Sequence, residues 1–395
     1  MNSSKIKTKL LWLVVFLFPG SSFHLASVPL KTEKPLKEIY HSGKIEFVPV
    51  LKITRDSFPE HVDLNLLVGF CKWKDYIYAA DARMGDIKIL TASGNFKGCF
   101  GQKGKGPGDM YLPYFLTFSG NNLLVWESGN RRFSIFNPQG KFIRHAQPKY
   151  RGRVKDIKSL DDGRIIIERE ASGWVKNEFI QLFGLELFSK EFKYIKELYE
   201  KRILRNIFLR KPNRSNLNQP FPNDVSWDVL PGNKIVIGYS EKYQIEILDP
   251  STGATKRFSH TYTPVKVTEA DKKFFFDSII SSGPSGRMKR GADRFTRTHT
   301  KFPEYKPAFK KIITDCQGNI LVFLYTNNGK GESMLNAKCF DAFDADGNFI
   351  NHVKIVSEGE LYIYKVISEK ENVFWAISES ADDDMDSEII KYKVQ

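Results

Sequence analysis

Residues 74–100 read KDYIYAADARMGDIKILTASGNFKGCF, and this stretch sets the pattern on which the fold prediction depends. Two short apolar runs, Tyr76–Ala80 and Asp86–Leu90, are separated by a polar gap, and a Ser-Gly-Asn turn at 93–95 leads into a third run. Short alternating runs bounded by turn residues are typical of antiparallel β-strands. The stretch therefore predicts a β-meander.

The same unit recurs along the chain, which indicates a repeat architecture. Further copies begin at Gly120, Asp161, Pro231, Cys316 and Glu369. An additional apolar segment, such as Leu66–Cys71, precedes a copy and supplies a fourth strand. A four-stranded meander cannot bury both of its faces alone, but several can when they pack radially. Six copies predict an all-β fold, a six-bladed β-propeller of four-stranded antiparallel blades.

The last copy ends after its third strand, so one strand of the ring has to come from elsewhere. Lys44–Ile53 is an apolar segment placed before the first full copy. We expect it to lie beside the C-terminal strand and to close the ring. Pro49 lacks a backbone N–H and suits only an edge position in such a strand.

The N-terminus has the pattern of a secretory signal peptide. Three lysines at positions 5, 7 and 9 precede the apolar run LLWLVVFLF at 10–18, and small residues follow. The run is too short for an ordinary membrane span of about 20 residues. We assign 1–26 to the signal, 27–42 to a linker and 43–395 to one propeller domain. Cleavage after Ser22 or after Ala26 fits the pattern, and the mature protein is expected in the periplasm or at the cell surface.

Two insertions interrupt the repeats, at about 198–224 and 262–310. The second predicts a short helix, because Thr268–Asp271 resembles an N-terminal cap and 272–280 carries apolar residues. Both insertions are basic, and loops of a rigid scaffold often carry function. Candidate residues for binding an anionic ligand are Arg205, Arg210, Lys211, Arg287, Lys289, Arg290, Arg294 and Arg297.

The link between the first two copies carries a family resemblance. Gly101-Gln-Lys-Gly-Lys-Gly-Pro-Gly-Asp109, with Leu112-Pro113 after it, resembles the inter-blade link of NHL-type six-bladed propellers. The stretch 302–322 resembles exported, uncharacterised six-bladed propeller proteins of Bacteroidetes-type bacteria. The resemblance implies the fold, but it implies no particular chemistry, because one fold hosts many functions.

Asp81 and Glu127 are the candidate channel-side residues. Each follows the second strand of its copy, and Ser240 occupies the same repeat position in the fourth copy. Lactonase-like and lyase-like propellers use carboxylates at the top of the channel, so a metal-dependent enzyme of that kind is the alternative function. The competing interpretation is structural, because an acidic residue at this position fixes the turn that follows it in NHL-type repeats.

Composition limits the function classes. The chain has 395 residues, of which 41% are hydrophobic, and a formal net charge of +14. Four cysteines in this length do not make a disulfide scaffold, and the seven histidines show no ligand spacing. The export signal argues against a nucleic-acid partner. We therefore expect a monomer that acts as a binding scaffold for a protein, peptide or glycan, in preference to an enzyme. We expect no cofactor, unless a Ca²⁺ or Zn²⁺ ion occupies the channel.

Overall fold

The structure is a computed structural model, and it describes residues 34–148, 152–176, 178–205, 220–281, 297–298, 300–327, 329, 336–356, 361–362, 366–370, 372–378 and 387–395. The predicted signal peptide lies outside these residues. The described chain begins with helix α1 (Leu36–His41), strand β1 (Lys44–Ile53) and a single 3-10 turn at Arg55–Ser57. Leu36 and Tyr40 of α1 are fully buried. The segment predicted as a linker is therefore packed against the sheets from residue 36 onward.

Four separate four-stranded antiparallel sheets follow, each with its strands in chain order. The first contains β2 (Leu67–Trp73), β3 (Tyr76–Asp81), β4 (Asp86–Thr91) and β5 (Phe96–Phe100). The second contains β6 (Pro113–Ser119), β7 (Asn122–Glu127), β8 (Arg132–Phe136) and β9 (Phe142–Ala146). The third contains β10 (Arg153–Ser159), β11 (Ile165–Val175), β12 (Glu178–Phe188) and β13 (Tyr194–Arg205). The fourth contains β14 (Val225–Leu230), β15 (Lys234–Tyr239), β16 (Gln244–Leu248) and β17 (Thr255–Ser259).

The remaining strands form one eight-stranded sheet and a short pair. Helix α2 (Glu269–Ser281) comes first in the chain. The strands after it are β18 (Lys311–Thr314), β19 (Ile320–Phe323), β20 (Asn336–Ala337), β21 (Cys339–Phe343), β22 (Phe349–Val356), β23 (Leu361–Tyr362), β24 (Val366–Glu369), β25 (Val373–Ser378) and β26 (Glu388–Val394). The order in the large sheet is β18-β19-β21-β22-β1-β26-β25-β24, and β20 pairs with β23.

The prediction of six separate blades is therefore corrected to four separate blades and one eight-stranded sheet. The cause is β1, which was predicted to pair only with the C-terminal strand. It does pair antiparallel with β26 from Phe47 to Ile53, but its residues Lys44–Glu46 also pair in parallel with β22. Pro49 lies beyond the β22 pairing and next to an irregularity in the β26 register, where its missing N–H is tolerated.

The predicted start of the first insertion was too early. Leu198–Arg205 belongs to β13 and continues the third sheet, in which Phe179 pairs with Arg205. The irregularity of the third copy is thus a matter of strand length, because β11 and β12 have 11 residues each and β13 has 12. In the second insertion the predicted cap is confirmed: the Asp271 backbone N–H donates to Thr268 Oγ1 at 3.2 Å.

Glycine turns hold neighbouring sheets together. Gly347, in the turn before β22, has a φ of +79°, and a Cβ there would meet the Phe258 ring of β17 at 2.5 Å. Gly140 has a φ of +80° in the equivalent turn of the second sheet, where a Cβ would overlap the Phe100 ring of β5. Only glycine combines a left-handed backbone with such a close approach. These two turns pack the third-to-fourth-strand hairpin of one sheet against the outer strand of the preceding one.

Candidate functional site

A central cavity of about 400 Å³ is lined by the first strands of the sheets. Contributing strands are β2, β6, β10, β14, β18 and β24, so the eight-stranded sheet contributes from both of its ends. Side chains of these strands that reach the cavity include Cys71, Thr117, Lys158, Asp228, Thr314 and Ser368. We call this space the channel cavity.

Hydrogen bonds between neighbouring turns place the ends of these inner strands at one end of the molecule. Ser119 Oγ donates to the Gly163 carbonyl at 2.6 Å, which joins the turns after β6 and β10. The Gly232 N–H donates to Asp161 Oδ2 at 2.8 Å, which joins the turns after β10 and β14. The strands β6, β10 and β14 thus run in the same direction, and the channel cavity extends to this turn end, where Asp161 and Pro231 line it.

A partly buried ion pair crosses the channel wall. Lys158 Nζ lies 2.6 Å from Asp228 Oδ1 and 3.8 Å from Asp156 Oδ2. The second oxygen of Asp228 accepts the Thr314 N–H at 2.9 Å, so this carboxylate also ties β14 to β18. Burial alone would lower the pKa of Lys158, but the carboxylates of Asp228 and Asp156 outweigh it and the pKa is raised. The ammonium is therefore charged and is already neutralised by protein groups.

A second carboxyl group lies behind this pair. Glu168 of β11 accepts a hydrogen bond from the Trp227 indole N–H at 2.7 Å, and Lys158 Nζ lies 5.0 Å from the centre of the same indole ring system. Burial raises the pKa of Glu168 from 4.5 to about 7, and the nearby carboxylates of Asp156 and Asp224 act in the same direction. Glu168 is thus a half-buried acid whose pKa is raised toward neutral pH.

A larger cleft of about 760 Å³ adjoins the channel cavity between the second and third sheets. Ser159 and Asp161 line both spaces, so the two are contiguous. Trp73 forms part of the cleft wall, with its ring stacked on Phe118 at a centroid distance of 5.2 Å. Together the spaces form one site at the turn end, which we call the channel–cleft site.

The walls of the channel cavity carry an excess of acceptors, although the whole chain is basic. Four aspartates line it against two lysines, and serine and threonine hydroxyls supply further acceptor oxygens. The aspartates are Asp156, Asp161, Asp228 and Asp315, and the lysines are Lys158 and Lys311. The local formal charge is thus −2 in a chain of formal charge +14. The site favours donor-rich ligands over anions.

Asp81 and Glu127, the predicted channel-side residues, lie elsewhere. Both are fully buried, and neither lines the channel–cleft site. Asp81 accepts the backbone N–H of Asn65 at 2.7 Å, just before the inner strand β2, and also the N–H groups of the following turn. Glu127 accepts the Tyr111 N–H at 3.0 Å, in the approach to β6. Ser240, at the same repeat position in the fourth copy, likewise accepts the Asp224 N–H. These contacts favour the interpretation that side chains at this repeat position fix the backbone.

Two of the eight predicted basic residues lie in the described part of the chain. Arg205 donates to the Asn223 carbonyl and to Asp224 Oδ1, which fixes the end of β13 beside the start of β14. Arg297 is exposed, and its guanidinium lies 4.5 Å from the Phe276 ring centre. Outside the described residues lie Arg210, Lys211, Arg287, Lys289, Arg290 and Arg294. Neither Arg205 nor Arg297 lines the channel–cleft site.

Sequence reasoning missed Lys158, Asp228 and Glu168. Asp156 and Lys158 alternate on one strand, which is a weak signal because such pairs are frequent on exposed strands. Lys158 and Asp228 are 70 positions apart in the chain and come from different sheets. Only a residue-level alignment of the repeats could have placed both on inner strands.

In the described part of the chain, no three His, Cys, Asp or Glu side chains gather where they could hold a metal ion. Cys71, Cys99, Cys316 and Cys339 are not disulfide-bonded. Within the same part of the chain, no helix combines the length and apolarity needed to cross a membrane.

The class that the fold defines is a β-propeller with four-stranded antiparallel blades, to which the described residues add the two short helices α1 and α2. No protein-family model matches the chain, and no curated protein matches it either. Solved structures do match. One is a protein of Bacteroides fragilis described as exported, with a TM-score of 0.50 and 11% identity over 89% of this chain and 94% of that one.

Two further similar structures have lower scores. A member of the DUF4221 family from Bacteroides vulgatus has a TM-score of 0.45 and 12% identity, covering 89% of this chain and 99% of that one. Virginiamycin B lyase from Staphylococcus aureus has a TM-score of 0.39 and 10% identity, covering 89% of both chains. At sequence identities this low, the similarity shows the fold alone.

Proposed function

We propose that this protein is an exported propeller of six radial units that binds a small, donor-rich ligand, such as an amine-bearing peptide or an amino sugar, in the channel–cleft site. The carrying observation is the convergence of six inner strands on one cavity whose walls hold four aspartates against two lysines. In this proposal the eight-stranded sheet counts as two blades joined by β1, and the NHL-like resemblance extends to the whole ring.

The chemistry of the walls supports a ligand that carries hydrogen-bond donors. Lys158 is one of the two lysines in the cavity wall, and Asp228 and Asp156 already neutralise it. A second anion there would have to displace a buried carboxylate, which costs several kcal/mol. Asp161 is exposed and lies where the cavity meets the cleft, so it is available to an incoming ammonium or hydroxyl group.

Export is inferred from the N-terminal pattern at 1–26. The similar protein from Bacteroides fragilis is also described as exported. Outside the cytoplasm, peptides and glycans are the common small ligands. Binding of an anionic ligand by the basic residues of the two insertions stays a prediction for those outside the described part. The alternative of a metal-dependent lactonase-like or lyase-like enzyme also stays a prediction, which elemental analysis of the purified protein tests.

The binding proposal is tested by calorimetry and thermal shift on the full chain with four probes. Spermidine and the tripeptide Lys-Ala-Ala are cationic, cellotriose is neutral, and trigalacturonate is anionic. We expect a cationic probe to bind and to raise the melting temperature, and trigalacturonate to do neither. Asp161→Asn should weaken binding about tenfold, the loss of one charge-assisted hydrogen bond.

The matched control is Asp346→Asn, in an exposed turn that does not line the site. It should leave affinity unchanged. Binding of trigalacturonate alone, or equal effects of the two variants, would contradict the proposal.

A further inference from the structure

The outer strand of the third sheet differs from the other outer strands. β13 has 12 residues, whereas β5, β9 and β17 have five each. At about 3.3 Å per residue, β13 offers an edge of about 40 Å, against about 17 Å for the others. It is the last strand of its sheet, and in the described part of the chain no strand pairs with its outer side. Its outward N–H and C=O groups therefore form a template for a further strand, which is most regular over 199–205, because the pairing with β12 shifts register twice in the first half of β13.

Apolar side chains are exposed at both ends of this edge. Tyr194 and Ile195 are 54% and 47% exposed at its start, and Leu204 is 53% exposed near its end. The charged residues of β13, the kind that protect natural edges, lie between these apolar residues and at its last position. An antiparallel partner strand of the same sequence would cover the apolar residues at both ends of β13.

The charges of β13 favour one orientation of such a pairing. Its second half carries three cations, Lys201, Arg202 and Arg205. Glu200 also lies in the second half, and the first half carries Lys196 and Glu197; both glutamates accept hydrogen bonds from Arg169. Parallel pairing of two copies would place the cationic halves side by side, and like charges on adjacent strands repel. Antiparallel pairing places each second half, of formal charge +2, opposite a first half whose two charges cancel.

We propose that β13 is a homodimer interface, in which two copies of this chain pair antiparallel along their β13 edges about a two-fold axis. The pairing is isologous, so it closes as a dimer and does not propagate. It brings Tyr194 and Ile195 of one copy toward Leu204 of the other. The third sheets of the two copies then form one continuous sheet, and the channel–cleft sites remain separate from the contact.

The first test is sedimentation velocity of the full chain over a series of concentrations, with the variant Leu204→Lys. We expect a reversible dimer, weakened about tenfold or more by the introduced charge. The control is Ile143→Lys, which is on the short outer strand β9 and is 48% exposed. Circular dichroism confirms that both variants are folded. A monomer at every concentration, or equal weakening by the two variants, would overturn the proposal.

The second test separates antiparallel from parallel pairing. In a Cys99→Ser background, which removes the exposed native thiol, single variants Ile195→Cys and Leu204→Cys are oxidised alone and as a mixture. We expect an intermolecular disulfide mainly in the mixture. Cross-linking of each variant with itself, and not in the mixed pair, would show the parallel arrangement and overturn the proposed geometry.

Discussion

At the scale of single residues, the protein has two kinds of acidic side chain with little access to solvent. Asp81 and Glu127 accept several hydrogen bonds from turns and strand entries and so hold the backbone of one sheet. Glu168 lies between two sheets, where burial raises its pKa to about 7. The first kind follows from a repeat position in the sequence. The second depends on which side chains of the next sheet surround it.

Glu168 should make the stability of the protein depend on pH. Its pKa in the folded state is raised from 4.5 to about 7, which means that the folded protein favours the protonated form of this side chain. The stabilisation of the fold is therefore fully present below about pH 4.5 and is lost as the pH rises through 7. We expect the free energy of unfolding to fall by up to about 3 kcal/mol over this range. Urea unfolding at several pH values measures it.

The variant Glu168→Gln keeps an acceptor for Trp227 and removes the titration, so its stability should change less over that range. Asp86, whose burial raises its pKa to about 6, titrates in both proteins and cancels in the comparison. Glu269→Gln, which removes an exposed acid, is the control and should behave as the parent. Parallel curves for Glu168→Gln and the parent would refute the assignment.

At the scale of elements, β1 is the strand that pairs the N-terminal part of the fold with the C-terminal strand β26. It pairs with β26 and with β22, and its Phe47 ring contacts Phe374 and Tyr392 at centroid distances of 5.3 and 5.9 Å. The sequence predicted this strand with its observed bounds, because the apolar run was unassigned and the last copy lacked a strand. Its second pairing with β22 was not predictable, since parallel pairing leaves no turn signal between the strands.

Phe47→Ala should destabilise the protein by about 3–5 kcal/mol, because it opens a cavity between the two halves of the eight-stranded sheet. Val50→Ala, on the same strand but 53% exposed, should cost well under 1 kcal/mol. Chemical denaturation of both variants measures the difference. Similar losses for the two would mean that β1 does not close the fold.

At the scale of the whole molecule, the charge of the chain and the charge of its site have opposite signs. The formal net charge of the chain is +14, but the channel cavity carries four aspartates against two lysines. Bulk composition averages over loops and surfaces and says little about one cavity. The sign of the ligand therefore has to be inferred from the residues that line the site.

Export is the prediction that belongs to the whole chain. Expression in a Gram-negative host with intact signal processing should give a mature protein that lacks the first 22 or 26 residues, since those cleavage sites fit the small-residue pattern. Intact-mass spectrometry of the periplasmic fraction measures the new N-terminus. A full-length product retained in the cytoplasm would contradict the assignment of 1–26.

The sequence by itself determined the strands, their turns, the closing strand Lys44–Ile53 and the capped helix after Thr268. These features depend on local patterns of period two and on turn residues, which act over a few positions. The tertiary structure alone decided that β1 also joins β22, that β13 presents a long edge, and that Lys158 meets Asp228 across 70 positions. The physical reason is that a cavity on the axis of radial repeats is built from one strand of each repeat, and no local pattern records which side chains face each other there.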